Sequence, residues 1–598
     1  MKRIILIVNC TLLIVHCAFS QDTTLNRNVT VEREFQPIVQ SAGKINVRPK
    51  VQETTLPVAE VVYSDYNAAL SPAFNTNSLL SQPMRFTTPR QYNGYVRGGL
   101  GHTNTLFDFG YRLDDQKNSI LDVYANHRAE WGRRANSNTR IGFDFRHTFS
   151  TCDLYFGFRG ANRFYTRYGR YYDGDKGLTA AHYRDLKPED KQNIWTVDAF
   201  AGVKSNNKSD IQYQVQAGYT LFALPGYVSE HQVRTTANID WSSDAHHVGG
   251  RVYVQNSFLQ TDQVADTLFN SRHALRIEPY YAYLGRRFSI HAGVNFDINI
   301  GRGQFLSNLD QVTFAPSPKV EFEAQIAKKW LTIYGIAQGS LNTGTLQAYM
   351  ASMPYRAIDP GITSHHVGGY TPIDAQLGFR IRPYRDLLID IYGGYAYQKN
   401  KITTVATVDS VTAGVTVLPG TFTYFYGDYG RGKIGAAFSY HYQDIITIHL
   451  WGNYYFWQTF RQENIENGYF TKPGYSVPVR ADGVYDRAAW DMGLRIDARI
   501  DKHWSLYSDN RFSGSRTALV SMPDANGSYE RTLKPTIQLS LGCQYETVVG
   551  SKSFREKTTQ PNLVVFFQLN NYIHRHNDIW YGYQSEGINF LMGVTYKF

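Results

Sequence analysis

The sequence predicts an all-β protein: a transmembrane antiparallel β-barrel of about 22 strands behind a short, extended N-terminal periplasmic arm. Three observations carry that prediction. Apolar and polar residues alternate with a period of two over many strand-length segments, so each segment has one apolar and one wet face. The connections between segments sort by parity into tight turns and mostly long loops. The chain is aromatic-rich, at 15% with 44 Tyr, yet after the leader no run stays apolar for the roughly 18 residues that a helical span needs.

Taken in order, the chain opens with a basic head, Met1-Lys2-Arg3, an apolar run from Ile4 to Ile14, and a small-x-small site at Ala18-Phe19-Ser20. This predicts a secretory signal peptide over 1–20, too short to span a bilayer as a helix. Cys17 invites a lipoprotein reading, but His16 is bulky where a lipobox wants a small residue. Removing the leader takes Lys2 and Arg3 and no acid, so the formal charge of +10 falls to +8. Those charges are interspersed, and no basic face points to nucleic acid. Cys10 and Cys17 leave as well, and the remaining Cys152 and Cys543 imply neither a disulfide framework nor a metal knuckle.

Residues 21–91 lack the alternation. They are polar and carry Pro37, Pro49, Pro57, Pro72, Pro83 and Pro89, which predicts an extended periplasm-side arm. Within the arm, Asn28-Val29-Thr30-Val31-Glu32-Arg33-Glu34-Phe35-Gln36-Pro37-Ile38-Val39 is followed by Ala42-Gly43-Lys44-Ile45-Asn46-Val47-Arg48-Pro49-Lys50-Val51. This resembles the N-terminal motif of a family of outer-membrane barrels from Bacteroides-type bacteria, often described as TonB-dependent-receptor-like. Val29-Thr30-Val31 also resembles a TonB box, a short strand that would pair with an edge of the energy-transducing partner. The plainer reading is a linker with β-propensity.

Residues 92–598 form the predicted barrel. Ile211, Tyr213, Val215, Ala217, Tyr219 and Leu221 alternate with Gln212, Gln214, Gln216, Gly218 and Thr220. The same pattern runs through 233–241, 290–300 and 490–500. Strands are expected to begin near 92, 105, 118, 138, 152, 191, 208, 228, 246, 271, 288, 316, 330, 371, 386, 431, 445, 486, 503, 532, 562 and 586. The strand at 431 is open to being the lower part of a longer one from Thr421. Tight turns such as Arg286-Arg287 and Asp501-Lys502-His503 alternate with long connections near 165–190, 344–370, 400–420, 460–485 and 517–531. Short turns on one side and long loops on the other mark a barrel across a membrane, and 550–560 is the exception. The chain ends with Ile588, Phe590, Met592, Val594, Tyr596 and Phe598 on one face; Leu591 alone breaks the opposite face. Closed by Tyr596-x-Phe598, that ending resembles the C-terminal assembly signal of bacterial outer-membrane barrels, and implies outer-membrane lipid and lipopolysaccharide as surroundings.

A barrel of this size is about 40–45 Å across. The TonB-dependent transporters, which share the strand number, close theirs with a large N-terminal plug, and the arm here lacks a globular core pattern. The roughly 70 arm residues occupy about 9,000 Å³ at protein density, against a lumen of roughly 17,000 Å³. Closure is therefore expected from the loops near 344–370, 400–420 and 460–485, from a flattened barrel, or from a partner protein.

No catalytic or cofactor-binding constellation emerges. His246-His247 and His365-His366 point to opposite faces of a strand and do not chelate unaided, while His574-x-His576 puts two imidazoles on one face near the outer rim. No Gly-x-Ser-x-Gly or similar nucleophile signature exists. Phe164, Tyr165, Tyr168, Tyr171 and Tyr172 with Arg163, Arg167 and Arg170 suit either ligand stacking or a headgroup-level belt; the belt is the expectation. Arg234, Asp240, Asp297, Arg380, Arg382, Asp491, Arg495, Asp497 and Arg499 are expected to face the lumen, setting a field or neutralising one another as pairs. Two functions follow: a receptor- or channel-like barrel passing a polar solute, or an assembly subunit that binds an envelope protein.

Overall fold

The computed structural model describes residues 92–598 except 116–117, 133, 170–190, 207–209, 262–270, 302–312, 328–329, 356–368, 408–420, 444, 463–464, 467–468, 473–474, 479–482, 523–526 and 552–559. The signal peptide, the arm with Val29, Thr30 and Val31, Tyr171, Tyr172 and the His365-His366 pair lie outside the described residues. Twenty-two antiparallel strands close into a ring. They are β1 (Gly94–Gly101), β2 (Asn104–Asp114), β3 (Ser119–Glu130), β4 (Asn136–Thr148), β5 (Cys152–Thr166), β6 (Lys191–Ser205), β7 (Ile211–Leu224) and β8 (Val228–Ser243). There follow β9 (His246–Thr261), β10 (Ser271–Leu284), β11 (Phe288–Gly301), β12 (Thr313–Ala327), β13 (Leu331–Leu341), β14 (Tyr370–Tyr384), β15 (Leu387–Thr407) and β16 (Thr421–Tyr442). The ring is completed by β17 (Ile446–Gln462), β18 (Trp490–Arg499), β19 (Trp504–Ser513), β20 (Thr536–Thr547), β21 (Leu563–Asn570) and β22 (Asn589–Lys597).

Each expected strand corresponds to one of these, and the one expected at 431 is the lower half of β16, which begins at Thr421. The rows read from the alternation face outward: Ile211, Val215, Val233, Ile239, Val294, Trp490 and Met492 are all exposed. An apolar outer wall on a closed ring leaves no unpaired strand edge in the hydrocarbon, which is the condition for crossing a bilayer with strands. Cys543 shares its face with exposed Leu541, while Gln544 and Glu546 point into the barrel.

The ring closes where the chain ends. β1 pairs with β22 from Tyr95 opposite Lys597 to Gly101 opposite Leu591. Past that register the Gly94 amide donates to the Phe598 carbonyl at 2.8 Å and the Phe598 amide returns the bond to Gly94 at 2.9 Å. The Phe598 ring stacks on Tyr111, 5.9 Å between centroids, and also on Tyr596. A Cβ on Gly94 would stand 2.5 Å from Tyr111 and 2.8 Å from Phe598, so only glycine lets those rings meet there. Leu591, the break in the terminal alternation, is fully buried on the inner face with Leu106 and Phe566.

The lumen wall accounts for part of the Tyr and Gly content. Tyr124 lies opposite Gly142, Tyr155 opposite Gly202, Tyr334 opposite Gly378, Tyr392 opposite Gly435 and Tyr507 opposite Gly542. In each pair a Cβ on the glycine would fall 2.2–2.6 Å from the tyrosine side chain. The ring lies flat over its cross-strand neighbour and covers backbone that would otherwise be bare.

Candidate functional site

The two ends of the barrel differ in construction. At one end the described connections are tight apart from the one after β20; at the other, chain folds over the mouth. Two strands beyond the ring, Arg516–Met522 and Gly527–Leu533, form a hairpin between β19 and β20. Its first strand runs parallel to the top of β15, Val405 to Thr407 facing Leu519 to Ser521. A seven-residue helix, α1 (Leu346–Ser352), follows β13 and is capped by the Thr345 hydroxyl, which accepts from the Ala348 amide at 3.1 Å. A small ladder, Asp578–Trp580 with Tyr583–Gln584, lies between β21 and β22.

These pieces share one apolar core. Leu346, Tyr349, Met350, Met353 and Tyr355 from the α1 segment pack with Trp580 and Tyr583, with Val520 of the hairpin, and with Phe422 at the top of β16. Tyr165, Leu224, Val228 and Leu259 complete it from the tops of β5, β7, β8 and β9. Tyr355 and Tyr583 stack at 3.9 Å between centroids, and neither is exposed beyond 1%. Chain from points well separated round the ring thus meets over the mouth and buries large side chains there, which a merely flopping loop would not do.

Hydrogen bonds fix the position of each piece. The Glu230 carboxylate accepts from the Leu346 amide at 3.1 Å and the Gln347 amide at 3.0 Å, docking the start of α1 on β8. Arg272 donates to the Gly344 carbonyl at 2.7 Å. Tyr165 donates to the Pro354 carbonyl at 2.5 Å and Tyr168 to the Gln584 carbonyl at 3.0 Å. Arg516 donates to the carbonyls of Asp578 and Ile579 at 2.7 and 2.8 Å, tying hairpin to ladder. Burial pushes the Arg516 guanidinium below its ordinary range and the Tyr168 phenol above its own.

The headgroup-belt expectation is corrected at Tyr165 and Tyr168. Both lie in the cap core, because the upper end of β5 is covered by chain arriving from β13 and β21. Of the loops expected to close the mouth, the described part of 344–370 supplies α1. The stretch flanking 400–420 supplies the tall tops of β15 and β16. From 460–485, Tyr485 is buried and donates to Glu530 on the hairpin at 3.0 Å. The hairpin and the Asp578–Gln584 ladder were missed as closing elements. The break in alternation at Leu591 was the nearest sequence signal that the last hairpin carries extra burial.

The charges expected to face the lumen form local pairs, usually with partners other than one another. Arg495 and Asp497 do pair, at 2.8 Å, with Asp509 3.7 Å from Arg495. Asp297 binds Arg276 at 2.6 Å, Arg234 binds Asp198, and Asp240 takes His247 at 3.1 Å and Tyr280 at 3.2 Å. Arg380 reaches Glu323 at 3.2 Å, and Asp491 accepts from Asn453 at 2.9 Å. Arg382 is exposed at the short-turn end, where its amide donates to the Trp330 carbonyl, and Arg499 sits in the same region with its amide on Ile445. His574 and His576 stand 5.3 Å apart, but Nδ1 of the first accepts the Ile588 amide and Nδ1 of the second faces the Ser585 carbonyl. Among the described residues no group of three or more His, Cys, Asp or Glu could hold a metal.

No family profile matches the chain, and no curated protein matches it in sequence. Solved structures do. The chain is similar to the FrpB iron transporter of Neisseria meningitidis, with a TM-score of 0.60 and 9% identity over 85% of this chain and 82% of that one. It is similar to the ferric enterobactin receptor of Pseudomonas aeruginosa, with a TM-score of 0.57 and 11% identity over 84% and 80%. It is similar too to the ferric-catecholate import receptor Fiu of Escherichia coli K12, with a TM-score of 0.57 and 9% identity over 85% and 82%. The fold is that of the iron-receptor barrels. At these identities the likeness carries architecture alone.

Proposed function

We propose that this protein is a receptor-like barrel of the bacterial outer membrane, without enzymatic activity, that passes a polar solute through a gated outer mouth. The observation that carries the reading is the cap: a wide closed ring whose mouth is covered by chain with its own buried core. An open porin has no use for such a core, and a purely structural barrel has no use for a lumen wall lined with tyrosine, amide and paired charges. The iron and siderophore receptors named above share the ring, which supports import as its use.

Three finer statements belong to the same proposal. The arm over 21–91 is too small to be a full plug, so closure falls chiefly to the cap. Val29, Thr30 and Val31 pair with an energy-transducing partner. Tyr596 and Phe598 form the assembly signal, and their place at the closing seam supports that role. Planar-bilayer conductance tests the whole. The intact chain and a chain lacking residues 21–91 should both show small or no steps, and a chain with a disrupted cap should show large ones. Silence from the cap-disrupted barrel would overturn the transport reading.

A further inference from the structure

Along most of the inner wall the guanidinium groups are answered; on β3, β4 and β5 they are not. Arg234, Arg251, Arg276, Arg380, Arg431 and Arg495 each hold a carboxylate. Near the seam Arg97 holds Asp108, Arg112 holds Asp122 and Arg159 holds Asp144, which occupies the nearest aspartates. Arg128 of β3 and Arg140 of β4 are left without an ion-pair partner among the described residues, and both are exposed.

Register sets these two beside a third. Arg128 lies opposite Leu106, which is buried on the inner face, and Arg140 lies opposite Asn126, which donates to Asp108 at 3.2 Å. Both side chains therefore stand on the lumen side. Asn138 separates Arg128 on β3 from Arg163 on β5 in one cross-strand row, and Arg140 follows it on the same face of β4. Two strand spacings are about 10 Å and two residues of strand about 7 Å, so three long side chains root around one amide and can bring their forks together. Arg163 shares its face with Tyr165, lying 5.9 Å from that ring, and the Tyr165 hydroxyl holds the cap at Pro354. The group thus sits on open lumen wall just beneath the cap. Glu130, the carboxylate above Arg128, is 6% exposed and accepts from Asn136 instead. Like charges rooted this close repel one another, and the neighbouring acids are engaged elsewhere.

We propose that Arg128, Arg140 and Arg163 form a binding site for a small, multiply charged oxyanion, with the Asn138 amide as a fourth donor. A guanidinium presents a planar fork of N–H groups that matches one edge of a phosphate or carboxylate, and it is weakly hydrated, so little is lost when it leaves water. Forks arriving from three strands address several edges of one ligand. A lone carboxylate does not offer those edges; a phosphate or a polycarboxylate does. A neutral solute would leave the repulsion among the three unrelieved. Basic side chains gathered on the wall are also the means by which a pore favours anions. The inference deepens the receptor reading, narrowing the polar solute to an anion, and rests on that reading for the direction of approach.

Calorimetric titration of the purified full-length barrel at low salt tests it, with pyrophosphate, citrate and, as the neutral control, D-glucose. Pyrophosphate or citrate should bind while glucose does not, and the tighter of the two oxyanions tells a phosphate site from a carboxylate one. Binding should weaken as sodium chloride is raised. Arg128→Gln and Arg140→Gln should each weaken it tenfold or more, in barrels that stay heat-modifiable because neither side chain has a partner to lose. Arg146 stands on the same face of β4, nearer the short-turn end, and is likewise without an ion-pair partner among the described residues. Arg146→Gln should therefore leave the affinity unchanged. Binding of neither oxyanion, equal binding of glucose, indifference to salt, binding unchanged in Arg128→Gln and Arg140→Gln, or an equal loss in Arg146→Gln, the mark of a diffuse field, would each overturn the proposal. Binding is read without transport, so a failure here leaves the conductance test of gating untouched.

Discussion

The two ends of this barrel solve the same problem, covering the ends of strands, by opposite means. At the short-turn end each turn looks after itself. Asp501 accepts the amides of His503 and Trp504, both at 2.7 Å, and Asp115 accepts those of Asn118 and Ser119 at 2.9 and 2.8 Å. Even the long connection there is tied locally, the Asn562 amide exchanging two bonds with the Val549 peptide. At the capped end local bonds are joined by bonds between distant pieces of chain. Glu230 holds a helix that follows β13, Tyr165 holds Pro354, and Arg516 holds the chain after β21. Local turns make an end rigid through independent parts; shared burial makes it one cooperative piece that can release as a unit.

The sharpest way to break this contrast is at the centre of the cap. Tyr583→Ala removes a fully buried ring stacked on Tyr355, and deletions of that kind cost about 3–5 kcal/mol. The expected result is a barrel that remains heat-modifiable on gels yet shows large conductance steps. A closed barrel after that change would mean that the cap is not cooperative. Next in size, Glu230→Ala strips the acceptor from two helix amides, at about 1–3 kcal/mol for groups left unmade. Limited proteolysis should then cut within 346–355 and spare the short turns.

The seam offers a third test of comparable size. Gly94→Val would press a side chain into Tyr111 and Phe598, and overpacking costs about 1–3 kcal/mol. Assembled yield should fall in the membrane while export continues, and deletion of Phe598 should do the same. The smallest effect belongs to the short turns. Asp501→Ala should lower Tm slightly and leave conductance unchanged. The two amides hold the Asp501 carboxyl below its ordinary value. Its contribution is therefore complete above the usual carboxylate range and is lost only as pH falls through that lowered value, a dependence that the Ala variant should lack.

The ring was legible in the sequence because period-two alternation and loop parity are both local signals. Ile211 to Leu221 declares its apolar face without reference to any other strand, and the size of the ring turns that face outward. The cap was not legible for the complementary reason. Tyr165 and Tyr168 look like lipid-facing aromatics until chain from β13 and β21 is laid over them, and nothing near them in sequence announces that cover. The Tyr–Gly pairs fell between the two cases: both residue types stood out in the composition, but their pairing depends on register between neighbouring strands. The amide nitrogen of Gln538 and the amide oxygen of Asn570, both buried without a hydrogen-bond partner, were invisible, since only that absence distinguishes the two residues from other inward polar ones.

The parallel contact between Val405–Thr407 and Leu519–Ser521 bears on the order of assembly. It joins the top of β15 to the hairpin between β19 and β20, and it closes a far shorter loop than the meeting of β1 with β22 at the seam. By loop length alone the contact over the mouth is the easier one to make, so a barrel whose seam fails to close can still carry part of its cap.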